Sequence, residues 1–220
     1  MEYLHIVFSE FLNANKMADE KLYLYPVWIR IWHWLNAIIF IILLLTGVSM
    51  QYSNPENPLL IPFELSVQLH NICGILISIN YLIFIIGNLF TSNGKQYKMK
   101  TKGLFKRLFD QSIFYLFGMF KKQEAPFPIS LDNKFNPLQR FIYSTAMYIG
   151  FPIIIASGIA MLFPEIILPQ IFGLSGLLLT ALVHVIIGFV LSLFLFIHIY
   201  VCTIGSSISS NFKSMITGWH

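Results

Sequence analysis

The chain has 220 residues, of which 56% are hydrophobic and only 11% carry a charged side chain. Because a soluble domain has about 25% charged residues, this composition excludes an ordinary soluble protein and indicates an integral membrane protein. The formal net charge is +4, and a basic face toward anionic membrane lipid accounts for it without any role for nucleic acid.

Four apolar segments are long enough to cross a membrane, since a spanning helix needs about 20 residues. They are residues 27–50, 66–90, 139–163 and 175–205. We therefore predict that residues 1–220 form a single all-α domain, an integral membrane four-helix bundle. The first 25 residues contain several charged side chains and lack the basic start, apolar core and cleavage site of a secretory signal peptide.

The distribution of basic residues predicts an orientation for this bundle. All 14 lysines and arginines lie before or at the start of span one, between spans two and three or at the start of span three, or after span four. The two other connections, residues 51–65 and 164–174, contain none. By the positive-inside rule, both termini and the long loop between spans two and three are predicted to be cytoplasmic.

The long loop contains a mixed apolar and charged segment, residues 104–120, which includes Lys106, Arg107 and Asp110. The segment is too short and too charged to span a membrane, and it is typical of an interfacial amphipathic helix. The proline-containing stretch 125–128 would end this helix. The helix could cover a cytoplasmic pocket or simply lie on lipid, and the sequence favours neither.

Four histidines lie inside the apolar spans, namely His33, His70, His184 and His198. An ionisable side chain inside a membrane is costly and indicates a functional site, and neutral imidazole is a ligand of haem iron. The predicted topology places His70 and His184 in the outer half of the membrane, and His33 and His198 in the inner half. Depth alone therefore predicts two pairs, each able to provide both axial ligands of one haem.

The spacing of the two histidines in span four supports this prediction. His184 and His198 are 14 residues apart, which is nearly four turns and about 21 Å of helix, so both project from nearly the same face. Gly74 and Gly188 each follow a histidine by four residues, where a glycine leaves room for a flat macrocycle or allows close helix packing. His33, by contrast, lies among tryptophans that are ordinary at a membrane interface.

Several short motifs resemble the membrane cytochrome b subunits of bacterial respiratory complexes, over the chain from Pro26 onward. These motifs are RIWHWLNA at 30–37, TG at 46–47, LHNICG at 69–74, FNPLQR at 135–140 and HIYVCTIG at 198–205. The family includes the gamma subunit of formate dehydrogenase and the cytochromes b of nickel–iron hydrogenase and thiosulfate reductase. The segment before FNPLQR looks most like the thiosulfate reductase branch.

The resemblance implies a multi-pass protein of the bacterial cytoplasmic (inner) membrane with four helices and two haem b groups. The implied axial ligands are the same four histidines, His33, His70, His184 and His198, with the same pairing. The outer haem would exchange electrons with an iron–sulfur subunit, which serves a separate catalytic subunit of the thiosulfate or polysulfide reductase, formate dehydrogenase or hydrogenase type. The inner haem would exchange electrons with menaquinone or ubiquinone. The chain would thus be an electron carrier and membrane anchor, with no catalytic site except for quinone chemistry and no visible signal for the direction of electron flow.

Further residues are candidates for cofactor contacts. The formate dehydrogenase relative has an Asn beside its quinone at the start of helix three, and Asn136 resembles it, with Gln139 and His198 nearby. Asn136, which precedes Pro137, is also an ordinary helix N-cap, and the two roles can coexist. Arg30 could pair with a haem propionate or act as an interfacial anchor.

Two other functions are open at this point. A stand-alone di-haem cytochrome b could exchange electrons between quinol and a small exterior redox partner, and it would purify alone in an active form. A transporter could use the histidines as a proton relay or a metal path. Such a transporter would show no Soret absorption after purification with haem supplied.

Overall fold

The computed structural model describes residues 22–53, 59–121, 123–205 and 207–220. Most of the segment considered above for a signal peptide, residues 1–21, lies outside this description. The α-helices of the described chain are α1 (Val27–Tyr52), α2 (Phe63–Phe90), α3 (Leu104–Ile113), α4 (Pro137–Thr145), α5 (Phe151–Leu162), α6 (Gly176–Cys202) and α7 (Ser210–Thr217).

Four of these helical segments are long and apolar enough to cross a membrane. They are α1, α2, the continuous segment Pro137–Leu162 and α6, and their ends lie within three residues of the spans expected from the sequence. In the third of them, the π-helical turn Ala146–Gly150 joins α4 to α5. The prediction of an all-α membrane bundle is therefore confirmed.

Local sequence signals account for where these helices begin. Pro26 and Pro62 directly precede α1 and α2, and proline favours the extended backbone of a helix boundary. At α6, the side chain of Ser175 accepts a hydrogen bond from the Leu178 N–H, as an N-cap does. A short hairpin, β1 (Gln170–Ile171) with β2 (Leu174–Ser175), leads into this cap.

Contacts between the membrane helices fall mainly within two antiparallel hairpins, α1 with α2 and α5 with α6. In the first hairpin, the indole N–H of Trp32 donates to the backbone carbonyl of Asn80 at 2.8 Å. The Trp32 ring also stacks on Phe84, which is fully buried, with ring centroids 4.6 Å apart. Since His33 follows Trp32 directly, these contacts fix the turn of α1 that carries this histidine.

Aromatic side chains join the two hairpins near the middle of the bundle. The ring of Phe151 lies 5.9 Å from that of Tyr81 and 6.2 Å from that of Phe40, measured between centroids. The fourth membrane helix, α6, is the least enclosed of the four. Its histidines meet the first hairpin at His33 of α1 and His70 of α2.

The long loop forms the expected helix. α3 continues through the π-helical turn Phe114–Gly118 into a 3₁₀ turn that ends at Lys121, which is before the proline-containing stretch. On one side of α3, Phe105 and Phe109 are exposed, whereas the other side packs on α4 and lines a cavity. The helix therefore covers a pocket and also presents an apolar surface outward.

The two ends of the described chain meet beside α1. Leu22 and His220 exchange backbone hydrogen bonds of 3.0 and 2.9 Å, and the Leu24 N–H donates to the Gly218 carbonyl at 2.9 Å. The indole of Trp34 donates to the Met215 carbonyl at 3.2 Å, which holds α7 against α1. Both ends thus lie on the same side of the bundle, as an even number of membrane helices requires.

Candidate functional site: two paired-histidine centres

The histidines of the membrane helices form two facing pairs. His70 of α2 and His184 of α6 have ring centroids 6.2 Å apart, with 67° between the ring planes. His33 of α1 and His198 of α6 have centroids 6.1 Å apart, with 58° between the planes. The structure brings together the two pairs expected from depth, whereas their role as iron ligands remains a prediction.

The separation of the rings fits a metal ion placed between them. Two imidazoles that bind one ion from opposite sides, with metal–nitrogen bonds of about 2.0 Å, have centroids about 6 Å apart. Within the described part of the chain, no three His, Cys, Asp or Glu side chains form a cluster for a metal ion. The residues present therefore suit a group such as haem, which brings its own equatorial ligands and needs only two axial ones.

Each histidine of the outer pair has a hydroxyl partner. Thr46 Oγ1 lies 2.9 Å from His70 Nδ1, and Ser157 Oγ lies 3.0 Å from His184 Nδ1. Both hydroxyls donate their own proton to the backbone carbonyl four residues earlier, at 2.7 and 2.8 Å. Each hydroxyl oxygen therefore accepts from the imidazole Nδ1–H, which leaves the Nε2 lone pair available to a metal.

A glycine follows each of these hydroxyl residues and lets the imidazole approach closely. A Cβ added to Gly158 would lie 3.1 Å from His184 Cε1, and one added to Gly47 would lie 3.5 Å from His70 Cε1. Ser157 and Gly158 were not among the residues expected from the sequence at this site. The visible signal was the repeat of a small hydroxyl residue followed by glycine in spans one and three.

The two glycines that were singled out from the sequence differ in their surroundings. A Cβ added to Gly74 would meet nothing within 4 Å, so this face of α2 is open, as a flat macrocycle beside His70 requires. A Cβ added to Gly188 would lie 3.4 Å from Ile154 Cδ1. Gly188 thus lies where α6 packs on α5, and its role beside a macrocycle remains a prediction.

The inner pair has different hydrogen-bond partners. Tyr143 Oη lies 3.2 Å from His198 Nδ1, and the thiol of Cys202 lies 3.7 Å from His198 Nε2. The Nδ1 atom of His33 is buried and has no partner among the described residues. A phenol thus takes the place at the inner centre that small hydroxyls take at the outer one, and sequence reasoning did not identify Tyr143.

Asn136 and Gln139, the quinone candidates, form a reciprocal cap at the start of α4. The Gln139 N–H donates to Asn136 Oδ1 at 2.9 Å, and the Asn136 N–H donates to Gln139 Oε1 at 3.2 Å. This arrangement is a capping box, with Pro137 at the first helical position. The ordinary helix-cap interpretation of Asn136 is therefore confirmed, while its contact with quinone remains a prediction.

Asn136 also connects the cap to the loop helix. Its amide Nδ2 donates to the Tyr115 hydroxyl oxygen at 2.7 Å. Burial raises the pKa of Tyr115, and the hydrogen bond from Asn136 offsets only part of this rise. The phenol therefore keeps its proton at neutral pH. Tyr115, Gln139, Tyr143 and His198 line a crevice of about 70 Å³ at this end of the bundle.

Arg30 is used for a structural contact in the described chain. Its guanidinium donates to the backbone carbonyl of Ile216 and so helps to hold α7 against α1. Its Nε is buried and makes no hydrogen bond to the residues that the structure describes. The propionate contact of Arg30 remains a prediction.

Two pairs of neighbouring imidazoles inside a helical membrane bundle are the arrangement expected of a membrane protein that binds a metal-containing cofactor. The sequence profile of the prokaryotic cytochrome b561 proteins matches residues 24–218, and the chain belongs to this family. It is 34% identical over 201 residues to YdhU of Escherichia coli (strain K12), which is provisionally named as a cytochrome; the match covers 91% of this chain and 75% of YdhU.

A second relative matches over a shorter segment. YedZ1 of Azospira oryzae, provisionally named as a subunit of a protein-methionine-sulfoxide reductase, is 29% identical over 83 residues, which are 34% of this chain and 42% of YedZ1. No solved structure matches the chain. Family membership makes the chain a membrane b-type cytochrome, which binds haem b and carries electrons.

Proposed function

We propose that this cytochrome binds two haem b groups, one between His70 and His184 and the other between His33 and His198, and carries electrons between the two faces of the bacterial cytoplasmic membrane. The observation that supports this proposal is the facing of the imidazoles in two pairs, 6.2 and 6.1 Å apart. When bound, the haems supply the one-electron chemistry, and the protein supplies their ligands, spacing and surroundings.

α6 sets the distance between the two centres. It is an uninterrupted α-helix from Gly176 to Cys202, so the 14 residues from His184 to His198 cover about 21 Å along its axis. α1 and α2 provide the opposite ligand of each pair. Each bound group would therefore join the two hairpins, and its binding free energy would add to the stability of the bundle.

The inner pair is the proposed site of quinone exchange, with menaquinone or ubiquinone as the mobile carrier. The support is the group of polar side chains at the crevice beside His198, which combines the phenols of Tyr115 and Tyr143 with the amide of Gln139. A protonated phenol donates to a quinone carbonyl, and an amide both donates and accepts. Asn136 acts on this site by holding the Tyr115 hydroxyl in place.

The outer pair is proposed to exchange electrons with an iron–sulfur subunit, so that the chain anchors a catalytic subunit of a respiratory oxidoreductase. The absence of lysine and arginine from the two outer connections predicts that this pair lies toward the exterior, and the iron–sulfur partner is the one that the resemblance to respiratory cytochrome b subunits implies. Affinity purification through this chain tests it. Recovery of an iron–sulfur protein in equal amount supports the anchor function, whereas a chain that is isolated alone and oxidises quinol with a small exterior acceptor favours the stand-alone enzyme.

Haem stoichiometry tests the central proposal. Purified wild-type protein, supplied with haem during expression, should contain two haem b groups per chain. His70→Ala or His184→Ala should remove one group, and His33→Ala or His198→Ala should remove the other, so that combining one change from each pair leaves none. His220→Ala, outside the membrane helices, is the matched control and should retain both groups. One haem per chain in a fully loaded wild-type sample would refute the proposal.

The quinone assignment needs variants that separate capping from contact. Asn136→Ser keeps an N-cap side chain but loses the amide that holds Tyr115, whereas Asn136→Ala loses both. We expect Asn136→Ser to slow quinol-driven haem reduction roughly tenfold, the effect of losing one good hydrogen bond in the reactive complex, with both haems retained. Asn136→Ala should show the same slowing and also lose about 1 kcal/mol of stability. Wild-type rates in both variants would exclude the site.

A further inference from the structure

A cavity of about 460 Å³ lies between α3, the loop that follows it and the start of α4. Its volume is within the range of small-molecule sites in proteins, about 300–1,000 Å³. Lys100, Arg107 and Arg140 line it together with apolar side chains that include Leu104, Phe127 and Phe135. No lining residue belongs to the crevice beside the inner histidines, so the cavity is distinct from the proposed quinone site.

The cations of this cavity are paired only with neutral oxygens. Arg140 Nη2 and Lys100 Nζ both donate to Asn133 Oδ1, each at 3.2 Å, and the Arg107 guanidinium donates to the Lys100 backbone carbonyl. No carboxylate is among the described residues that line the cavity. Arg140 is only 7% exposed, and the Nε atoms of both Arg107 and Arg140 are buried without a hydrogen-bond partner in the described chain.

A buried guanidinium without a counter-charge is costly, and proteins retain such groups where an anion completes them. The planar guanidinium fork matches the oxygens of phosphate or carboxylate, and two of them can hold one such group. The apolar part of the lining favours an anion attached to a hydrophobic body. The outward face of α3, which exposes Phe105 and Phe109, places this cavity beside the predicted membrane surface.

We propose that this cavity binds the phosphate group of an amphiphilic ligand, with Arg140 and Arg107 on the phosphate and Lys100 completing the positive charge. The phosphate could come from a membrane phospholipid headgroup or from a free phosphate compound, and the chemistry of recognition is the same. Bound phosphate would neutralise the facing arginines and so fasten α3 onto α4.

The test uses the full-length haem-loaded protein in neutral detergent. Three probes are added separately: phosphatidylglycerol, phosphatidylcholine and inorganic phosphate, and binding is measured by the rise in melting temperature and by native mass spectrometry. We expect phosphatidylglycerol to bind and stabilise, and Arg107→Gln to weaken this binding at least tenfold, since hydrogen bonds to charged groups are lost. Lys121→Gln, an exposed basic residue at the end of the same loop helix, is the matched control and should bind as wild type.

Displacement by inorganic phosphate distinguishes the two sources of phosphate, and the arginine variants test whether the cavity binds phosphate at all. If millimolar inorganic phosphate displaces phosphatidylglycerol, the cavity is a site for free phosphate compounds. If inorganic phosphate does not displace phosphatidylglycerol, the cavity is a lipid site. Arg140→Lys, which keeps the charge but loses the planar fork, should also weaken binding. Equal binding by wild type, Arg107→Gln and Arg140→Lys would overturn the proposal. The proposal would also be overturned if Arg107→Gln lost a haem but still bound phosphate. The arginines would then bind haem carboxylates.

Discussion

The hydroxyl partners of the outer histidines give the sharpest prediction. Thr46→Val removes the hydroxyl next to His70 with little change in shape, and Ser157→Ala does the same next to His184. Each change leaves an imidazole Nδ1–H without its acceptor. Since Thr46 is 0% and Ser157 only 7% exposed, water cannot easily replace the lost oxygen.

Two independent magnitudes agree on the size of the effect. A buried donor left without a partner costs about 1–3 kcal/mol, and removing the group that hydrogen-bonds to a metal-binding side chain lowers metal affinity by about 10–100-fold. At about 1.4 kcal/mol per tenfold change, these estimates coincide. We therefore expect each single variant to lower the affinity of the outer centre for haem by one to two orders of magnitude.

The assay measures the outer centre alone by using the His198→Ala variant as the starting protein. In His198→Ala only the outer haem should be retained, so the haem-to-chain ratio on titration of haem into the apoprotein reports that centre alone. Thr46→Val and Ser157→Ala are then compared in this background. Ser192→Ala is the matched control, because Ser192 is on α6 and donates to the Gly188 carbonyl at 2.7 Å.

Wild-type affinity for the outer haem in both Thr46→Val and Ser157→Ala would refute a role for these hydroxyls. Loss of the inner haem when either change is made in a chain that keeps His198 would also refute this role. Thr46→Ser, which restores a hydroxyl at the same position, should recover most of the affinity. Failure of this rescue would mean that packing of the threonine methyl group, and not the hydrogen bond, supports His70.

Three further predictions concern packing and the inner site. Gly158→Ala should disturb the outer haem spectrum more than Gly47→Ala, because the added Cβ would lie 3.1 Å from one imidazole but 3.5 Å from the other; equal spectra would contradict this. Phe84→Ala, at a fully buried ring, should cost about 3–5 kcal/mol of unfolding free energy in mixed-micelle denaturation, whereas Phe90→Ala, at a ring 84% exposed on the same helix, should change little. Tyr115→Phe should slow quinol-driven haem reduction with both haems in place, and an unchanged rate would remove Tyr115 from the proposed quinone site.

The helices and the histidine pairs could be expected from the sequence for a simple physical reason. The bilayer fixes the length of an apolar span, and the position of a residue within the span fixes its depth. Depth is a one-dimensional quantity, so His70 could be matched with His184 without any knowledge of how the helices rotate. The same reasoning needs no distance between helices.

The partners of the histidines could not be expected in this way, because they depend on the rotation of each helix about its axis. Ser157 meets His184 only because the third membrane helix is rotated about its axis in a particular way. A π-helical turn at Ala146–Gly150 changes this rotation midway along the helix. Pro152 is the second residue of α5, and it cannot donate a backbone hydrogen bond to the π-helical turn that precedes this helix. Side-chain pattern alone shows neither the extra residue of the turn nor its effect.

The register of the third and fourth membrane helices links the two centres. Tyr143 and Ser157 are 14 residues apart, and so are their partners His198 and His184, in the opposite chain direction. Antiparallel neighbours that match at Tyr143 and His198 match again at Ser157 and His184, after nearly four turns of α6. α6 carries one histidine of each pair, and the third membrane helix carries the hydroxyl group that contacts each of these two histidines. A change that slides these two helices past one another would thus disturb both centres together.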